Sequence, residues 1–188
     1  MELINKRRCA LLVIDMQEYF RSIAEPILPN LLRVIECCRQ HTLPVIFTRH
    51  AHRNPAEDAG MLANWWDDLI IDGTLAAEIL PELSPAPGEK IIHKQRYSAF
   101  FNTELHRHLQ QQEIRQLIIG GVMTNLCCET TAREAFMLDY EVFFLADGTA
   151  TSEPNYHQAS LLNLGYGFAH IVSCQKIIDA IQLSEQPV

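Results

Sequence analysis

Asp15 breaks off the apolar run Leu11-Leu12-Val13-Ile14, Lys94 ends the run begun by Ile91-Ile92, and Cys127 follows the glycine pair Gly120-Gly121. A carboxylate set at the end of an apolar run ionises in a partly dry place and needs a cation or a hydrogen-bond donor, for which Lys94 is the candidate. The stretch Gly120-Gly-Val-Met-Thr-Asn-Leu-Cys127 reads as a strand turning tightly into a helix, with Thr124 or Asn125 available as its cap. Cys127 then falls in the first helical turn. Unpaired N–H groups and the positive helix end favour a thiolate there, lowering the thiol pKa, and can also receive an oxyanion formed on an attacked carbonyl. An acid, an amine and a thiol together can carry out nucleophilic acyl transfer. Cys128, about 100° further round the same helix, is expected to face the packed side as a small apolar residue.

Other polar and aromatic residues lie close to these three in sequence. Gln17, two residues past Asp15, is placed to orient a substrate or water. Tyr97 and Phe100 follow Lys94 and are candidates to line a pocket. Trp65-Trp66 either walls a planar substrate or serves as core or subunit-interface aromatics, with Trp65 carried as the substrate-binding candidate.

The elements that must hold these residues are strands. Six short apolar, β-branched runs are expected, at Cys9–Asp15, Pro44–Arg49, Lys90–Lys94, Gln116–Gly120, Glu141–Asp147 and Gly167–Ser173. Stretches of helical period separate them, clearest in Leu28, Leu31, Leu32, Ile35 and Cys38. Strands alternating with helices predict an α/β fold of three layers, a six-stranded parallel sheet flanked by helices in Rossmann-like fashion. In such sheets ligands bind beyond the carboxyl ends of the strands, where Asp15, His50, His52, Lys94 and Cys127 gather. The connection from His50 to about Gly73 is long for a compact domain, which marks it as functional.

Composition sets the outer bounds. The 188 residues, 48% hydrophobic and 20% charged, suit a single domain over residues 1–188. A net charge of −8, with no basic cluster longer than Lys6-Arg7-Arg8, argues against nucleic acid and anionic membrane and for a small-molecule substrate. No apolar run approaches the ~20 residues of a membrane span, and no signal-peptide core follows Met1, so a cytoplasmic protein is expected. The six cysteines include no CxxC pair and read as free thiols in a reducing compartment. No GxGxxG or GxxxxGK[ST] occurs, which counts against a nucleotide-binding module.

Three spaced stretches carry a family resemblance: Val13-Ile-Asp15-Met-Gln17, Lys94-Gln-Arg-Tyr-Ser-Ala-Phe100, and Gly121-Val-Met-Thr-Asn-Leu-Cys127-Cys-Glu-Thr-Thr-Ala132. Together, and in this order, they resemble the isochorismatase-like cysteine hydrolases, the superfamily of nicotinamidases and N-carbamoylsarcosine amidases. The resemblance implies that superfamily's hydrolase fold, an Asp15–Lys94–Cys127 triad, and an oxyanion hole from the backbone N–H groups of Met123 and Cys127. It also implies a cis peptide between Val122 and Met123, and a homo-oligomer. Members that hydrolyse the vinyl ether of isochorismate lack the cysteine, so its presence favours an amide, carbamoyl or related acyl substrate cleaved through a thioester. A vinyl-ether hydrolase, a non-catalytic small-molecule binder and a thiol sensor are the alternatives. Nicotinamidase-like members hold a metal through an Asp-x-His pair and a later His. Here His50-Ala-His52 and Asp58 match that pattern incompletely, so no metal and no cofactor is expected, and the loop reads as polar or substrate-facing.

Overall fold

A computed structural model describes residues 4–183. Its centre is a parallel six-stranded sheet of β1 (Cys9–Ile14), β2 (Val45–His50), β3 (Lys90–Lys94), β4 (Gln116–Val122), β5 (Glu141–Ala150) and β6 (His170–Val172), in the order β3-β2-β1-β4-β5-β6. Among the described residues the eight α-helices, several a single turn long, are α1 (Arg21–Ala24), α2 (Leu28–Gln40), α3 (Pro55–Asp58), α4 (Leu62–Trp65), α5 (Leu105–Gln111), α6 (Glu129–Met137), α7 (Pro154–Gly167) and α8 (Cys174–Leu183). None is long and apolar enough to cross a membrane.

Continuous apolar strands form because both faces of the sheet are covered. In β1, Leu11 and Val13 pack on one side with Leu31 and Ile35 of α2 and Ile177 of α8. Ala10, Leu12 and Ile14 pack on the other side with Leu105 of α5, Ala132 of α6 and Leu164 of α7. This is the three-layer architecture expected from the alternation of strands and helices. Strand ends differ from expectation at several points. β1 stops at Ile14, because Asp15 turns into the left-handed region at φ +47°, whereas β4 runs on to Val122 and β5 to Ala150. β6 begins only at His170, because α7 continues through Gly167.

The strand order places a switch point at β1, whose neighbours are β2 on one side and β4 on the other. Register pairs Ile14 with Gly121, and Gly121 adopts φ +123°. A Cβ at Gly121 would collide with the Ile14 backbone, so only glycine lets β4 lie this close to the end of β1. The peptide bond between Val122 and Met123 is cis. These features bring the segment after β4 beside Asp15.

Candidate active site

The site is built from the ends of three strands. Asp15 follows β1 and is completely buried. Its backbone N–H donates to Thr48 Oγ1 of β2 at 3.0 Å, and the Thr48 hydroxyl donates back to Asp15 Oδ1 at 2.6 Å. Its other oxygen, Oδ2, lies 2.6 Å from Lys94 Nζ. Lys94 closes β3, whose register sets it opposite His50, and its ammonium also donates to the Arg96 carbonyl at 2.9 Å and to Cys127 Sγ at 3.4 Å. The structure thus brings Asp15, Lys94 and Cys127 into one buried cluster.

Electrostatics within the cluster oppose one another. Burial pushes the Lys94 ammonium toward deprotonation, but the adjacent Asp15 carboxylate and Cys127 outweigh it, and the Lys94 pKa stands above its ordinary value. For Cys127 burial dominates. The thiol is pushed up to about 12, with Lys94 pulling it down and Asp15 pushing it further up. The lowered pKa expected from the helix start is therefore corrected: the resting residue is a thiol, because it lies in a dry pocket floor beside a carboxylate.

The backbone around Cys127 also departs from expectation. Residues Thr124–Cys128 form a wide π-helical turn that leads into α6. The Met123 carbonyl accepts from the Leu126 and Cys128 amides at 3.1 and 3.2 Å. Met123, and neither Thr124 nor Asn125, occupies the cap position. Both polar side chains instead tie the turn to its surroundings. Thr124 Oγ1 lies 2.9 Å from His157 Nδ1 of α7, and Asn125 Oδ1 accepts from the Thr151 hydroxyl at 2.6 Å. Cys128 is fully buried on the α6 side of the sheet.

A cavity of about 590 Å³ opens above this cluster, with Met123 and Cys127 in its wall. Phe20, Ile70, Trp66, Tyr97 and Leu126 give it an apolar, largely aromatic lining, with Asp67 and Asp68 also contributing. The long connection after β2 supplies much of this wall, since α4 and the residues following it fold over the strand ends. Trp66 Nε1 donates to the Tyr97 hydroxyl at 2.8 Å, joining that connection to the segment after β3.

Three substrate-binding expectations are corrected by placement. Gln17 is fully buried, and its amide forms a clamp. Its Nε2 donates to the His50 and Ala77 carbonyls, both at 2.9 Å, and its Oε1 accepts from the His50 N–H at 2.7 Å. No polar atom of Gln17 is left to meet a substrate. Trp65 is 74% exposed on the outside of α4 and does not line the cavity, whereas its neighbour Trp66 does. Phe100 is buried away from the cavity, stacked on Tyr140 at 5.9 Å. Tyr97 remains in the wall. The sequence reading missed Thr48, which holds Asp15, whereas His50, read as lying at the strand ends in a polar or substrate-facing loop, does line the cavity.

The residues after β2 do not fit a metal site. His52 Nδ1 faces Asp58 Oδ1 at 3.1 Å, and Asp58 Oδ2 accepts from the backbone N–H groups of Arg53 and Asn54. The carboxylate is thus committed within its own loop. Among the described residues no group of three His, Cys, Asp or Glu side chains is arranged to hold an ion.

With this geometry in view, the relationships of the chain are informative. The family model for the Isochorismatase domain matches residues 9–176. The chain is 49% identical over 177 residues to Nicotinamidase 3 of Arabidopsis thaliana, covering 92% of this chain and 88% of that protein. It is 30% identical over 181 residues to enterobactin synthase component B of Escherichia coli (strain K12), covering 93% of this chain but only 64% of that longer protein. Its structure matches the crystal structure of a cysteine hydrolase from Pseudomonas syringae pv. phaseolicola 1448A with a TM-score of 0.93 at 26% identity, over 98% of this chain and 97% of that one. The α/β sheet, its order and these matches agree, and the chain belongs to the isochorismatase family of hydrolases.

Proposed function

We propose that the chain is a cysteine amidohydrolase that cleaves a small aromatic carboxamide of the nicotinamide class through a thioester. The observation that carries this reading is the Cys127 sulfur at the floor of an aromatic cavity, 3.4 Å from Lys94 Nζ, with Lys94 2.6 Å from the Asp15 carboxylate. The 49% identity to a protein named Nicotinamidase 3 supports the substrate class.

In this mechanism Asp15 accepts the Cys127 proton as the thiolate attacks the carbonyl carbon. Negative charge then moves from Asp15 to sulfur and on to the carbonyl oxygen, and the Lys94 ammonium stays within reach of the first two. The backbone N–H groups of Met123 and Cys127 hold the oxyanion. Collapse of the tetrahedral intermediate breaks the C–N bond, and Asp15 returns the proton to the departing nitrogen, giving ammonia and a Cys127 thioester. Water attacks the thioester and loses a proton to Asp15. The carboxylic acid product leaves, and the thiolate regains its proton from Asp15.

The test is a steady-state assay with nicotinamide, reading ammonia and nicotinic acid together with the intact mass of the enzyme. Stoichiometric ammonia and acid, with a nicotinoyl adduct on Cys127 under rapid quench, are expected. Pyruvate release from isochorismate without ammonia release from any amide would overturn the reading.

A further inference from the structure

The turn that carries Cys127 is held from outside. Thr124–Cys128 is π-helical, and the Glu129 N–H reaches back five residues to the Thr124 carbonyl, so the chain loops out around Cys127. Turns of this kind are rare and concentrate at functional sites. Thr124 opens the turn, and its hydroxyl, in a fully buried residue, lies 2.9 Å from His157 Nδ1 of α7. A buried hydroxyl is costly without a partner, so the pair ties the start of the turn to the helix.

His157 is itself anchored. Its ring also hydrogen-bonds the backbone of Ala146 in β5, and burial holds its pKa below the ordinary 6.5, so the imidazole is neutral at physiological pH. In α7, His157, Ser160 and Leu164 follow at three- and four-residue steps on the packed side, whereas Tyr156, Leu162 and Tyr166 are exposed. Polar residues inside and large apolar ones outside reverse the usual pattern of a surface helix. Both inner polar residues meet the Cys127 segment: the Ser160 hydroxyl donates to Glu129 in the first turn of α6, and His157 reaches the π-helical turn itself. Met123 and Cys127, on either side of Thr124, line the cavity and supply the proposed oxyanion donors. Much of the remaining wall comes from other segments, with Phe20, Trp66 and Tyr97 as its aromatic part and Asp67, Asp68 and Ser152 as its polar part. A shift of the turn therefore disturbs the reacting groups more than the binding walls.

We propose that His157 is a positioning residue for the nucleophile, fixing the Cys127 turn through the Thr124 hydroxyl so that the sulfur and the Met123 and Cys127 amides keep one mutual geometry. This inference rests on Cys127 being the nucleophile of the amidohydrolase reading given above. The nucleophile and the oxyanion donors belong to one short turn, and a small displacement of a reacting group is enough to cost much of the rate. Because His157 touches neither the cavity nor the substrate, its effect passes entirely through Thr124.

The experiment is a double-mutant cycle on kcat and KM for nicotinamide, measured well below Tm in the wild type, His157→Leu, Thr124→Val and the two combined. Each single variant is expected to lower kcat by about 10- to 100-fold with KM close to the wild-type value. The combined variant is expected to be no slower than the slower single one, because both remove the same hydrogen bond. His157→Asn, which sets an amide near the place of Nδ1, and Thr124→Ser are expected to restore most of the rate. Ser160→Ala cuts the neighbouring contact of α7 with α6 and is expected to keep kcat. Additive losses in the cycle overturn the inference, as does a Ser160→Ala enzyme that loses as much as His157→Leu. Should His157→Leu fail to fold, Thr124→Val against Thr124→Ser decides, and an unchanged kcat in Thr124→Val overturns the inference. A wild type that releases no ammonia from any aromatic amide ends the amidohydrolase reading alone. The same cycle is then read on the rate of Cys127 alkylation by iodoacetamide, where non-additive changes support the inference and additive ones overturn it.

Discussion

Lys94 Nζ lies 2.6 Å from Asp15 Oδ2, and neither side chain has any solvent exposure. Such a pair is costly to break, because removing one partner leaves the other charge buried and unmatched. Lys94→Met keeps the bulk of the side chain but not its charge. The variant is expected to lose about 3–5 kcal/mol of stability, seen as a fall in Tm of roughly 6–20 °C for a chain of this size. Turnover is expected to fall by on the order of 10³-fold or more. Scanning calorimetry and the ammonia assay check both, and near-wild-type kcat/KM would remove Lys94 from the mechanism.

The two adjacent cysteines should separate cleanly. Cys127 lines the cavity, whereas Cys128 is sealed in the core. Cys127→Ala is expected to lose acyl-enzyme formation and at least about 10³-fold in rate, while Cys128→Ala should retain activity at some cost in Tm. Because burial holds the Cys127 thiol near 12, its alkylation by iodoacetamide in the resting enzyme should be slow at pH 7 and climb about tenfold per pH unit up to pH 10. Mass-mapped labelling follows this directly, and a rate already at its plateau by pH 7 would mean that the thiolate forms without substrate.

Gln17 is expected to matter through what it holds. Gln17→Leu leaves the N–H and C=O of His50 without their buried partner, while the C=O of Ala77 keeps Arg49 Nε at 2.8 Å. A loss of about 2–5 kcal/mol in urea melts follows, with a rise in KM as the His50 ring loosens. Unchanged stability would show that water or a neighbour replaces the clamp.

Much of the fold was legible because a strand covered on both faces must be apolar along its whole length, as β1 and β4 are. Asp15, Lys94 and Cys127 stood out for the same reason: each is a polar or reactive residue where such a run ends. The clamp formed by Gln17 was not legible, since its partners lie far along the chain, at His50 and Ala77, and only folding joins them. Thr48 was hidden by its own β-propensity, which makes a threonine in an apolar strand look ordinary. The choice between Trp65 and Trp66 turns on where the single-turn helix α4 ends, a boundary that no periodicity marks. The thiol pKa was misread because depth of burial is a tertiary property, and here it overrides the helix-end effect.

His50 makes a further prediction about acid stability. Its pKa falls from an ordinary 6.5 to about 3 on folding, so the unfolded chain binds the extra proton first. Its contribution is complete above about pH 6.5 and is lost as pH drops toward 3. Between pH 7 and pH 4 the wild type should therefore lose about 2–3 kcal/mol more than His50→Leu. Paired denaturant titrations at the two pH values measure this difference, and parallel losses in both proteins would show that the imidazole takes up its proton in the folded state.

The strand order has a consequence for how the protein acquires activity. The acid comes from the end of the first strand, the ammonium from the sheet's outer edge at β3, and the nucleophile from beyond β4 on the far side of β1. Every one of the β3–β2, β2–β1 and β1–β4 pairings must be complete before the three groups meet. Parallel pairings between segments this distant in sequence form late, because loop closure has to precede the contacts that reward it. Regain of turnover during refolding thus reports the last long-range docking event, and it should trail the recovery of helical circular dichroism. A ribosome-bound chain released no further than β3 would hold two of the three groups and no reactivity.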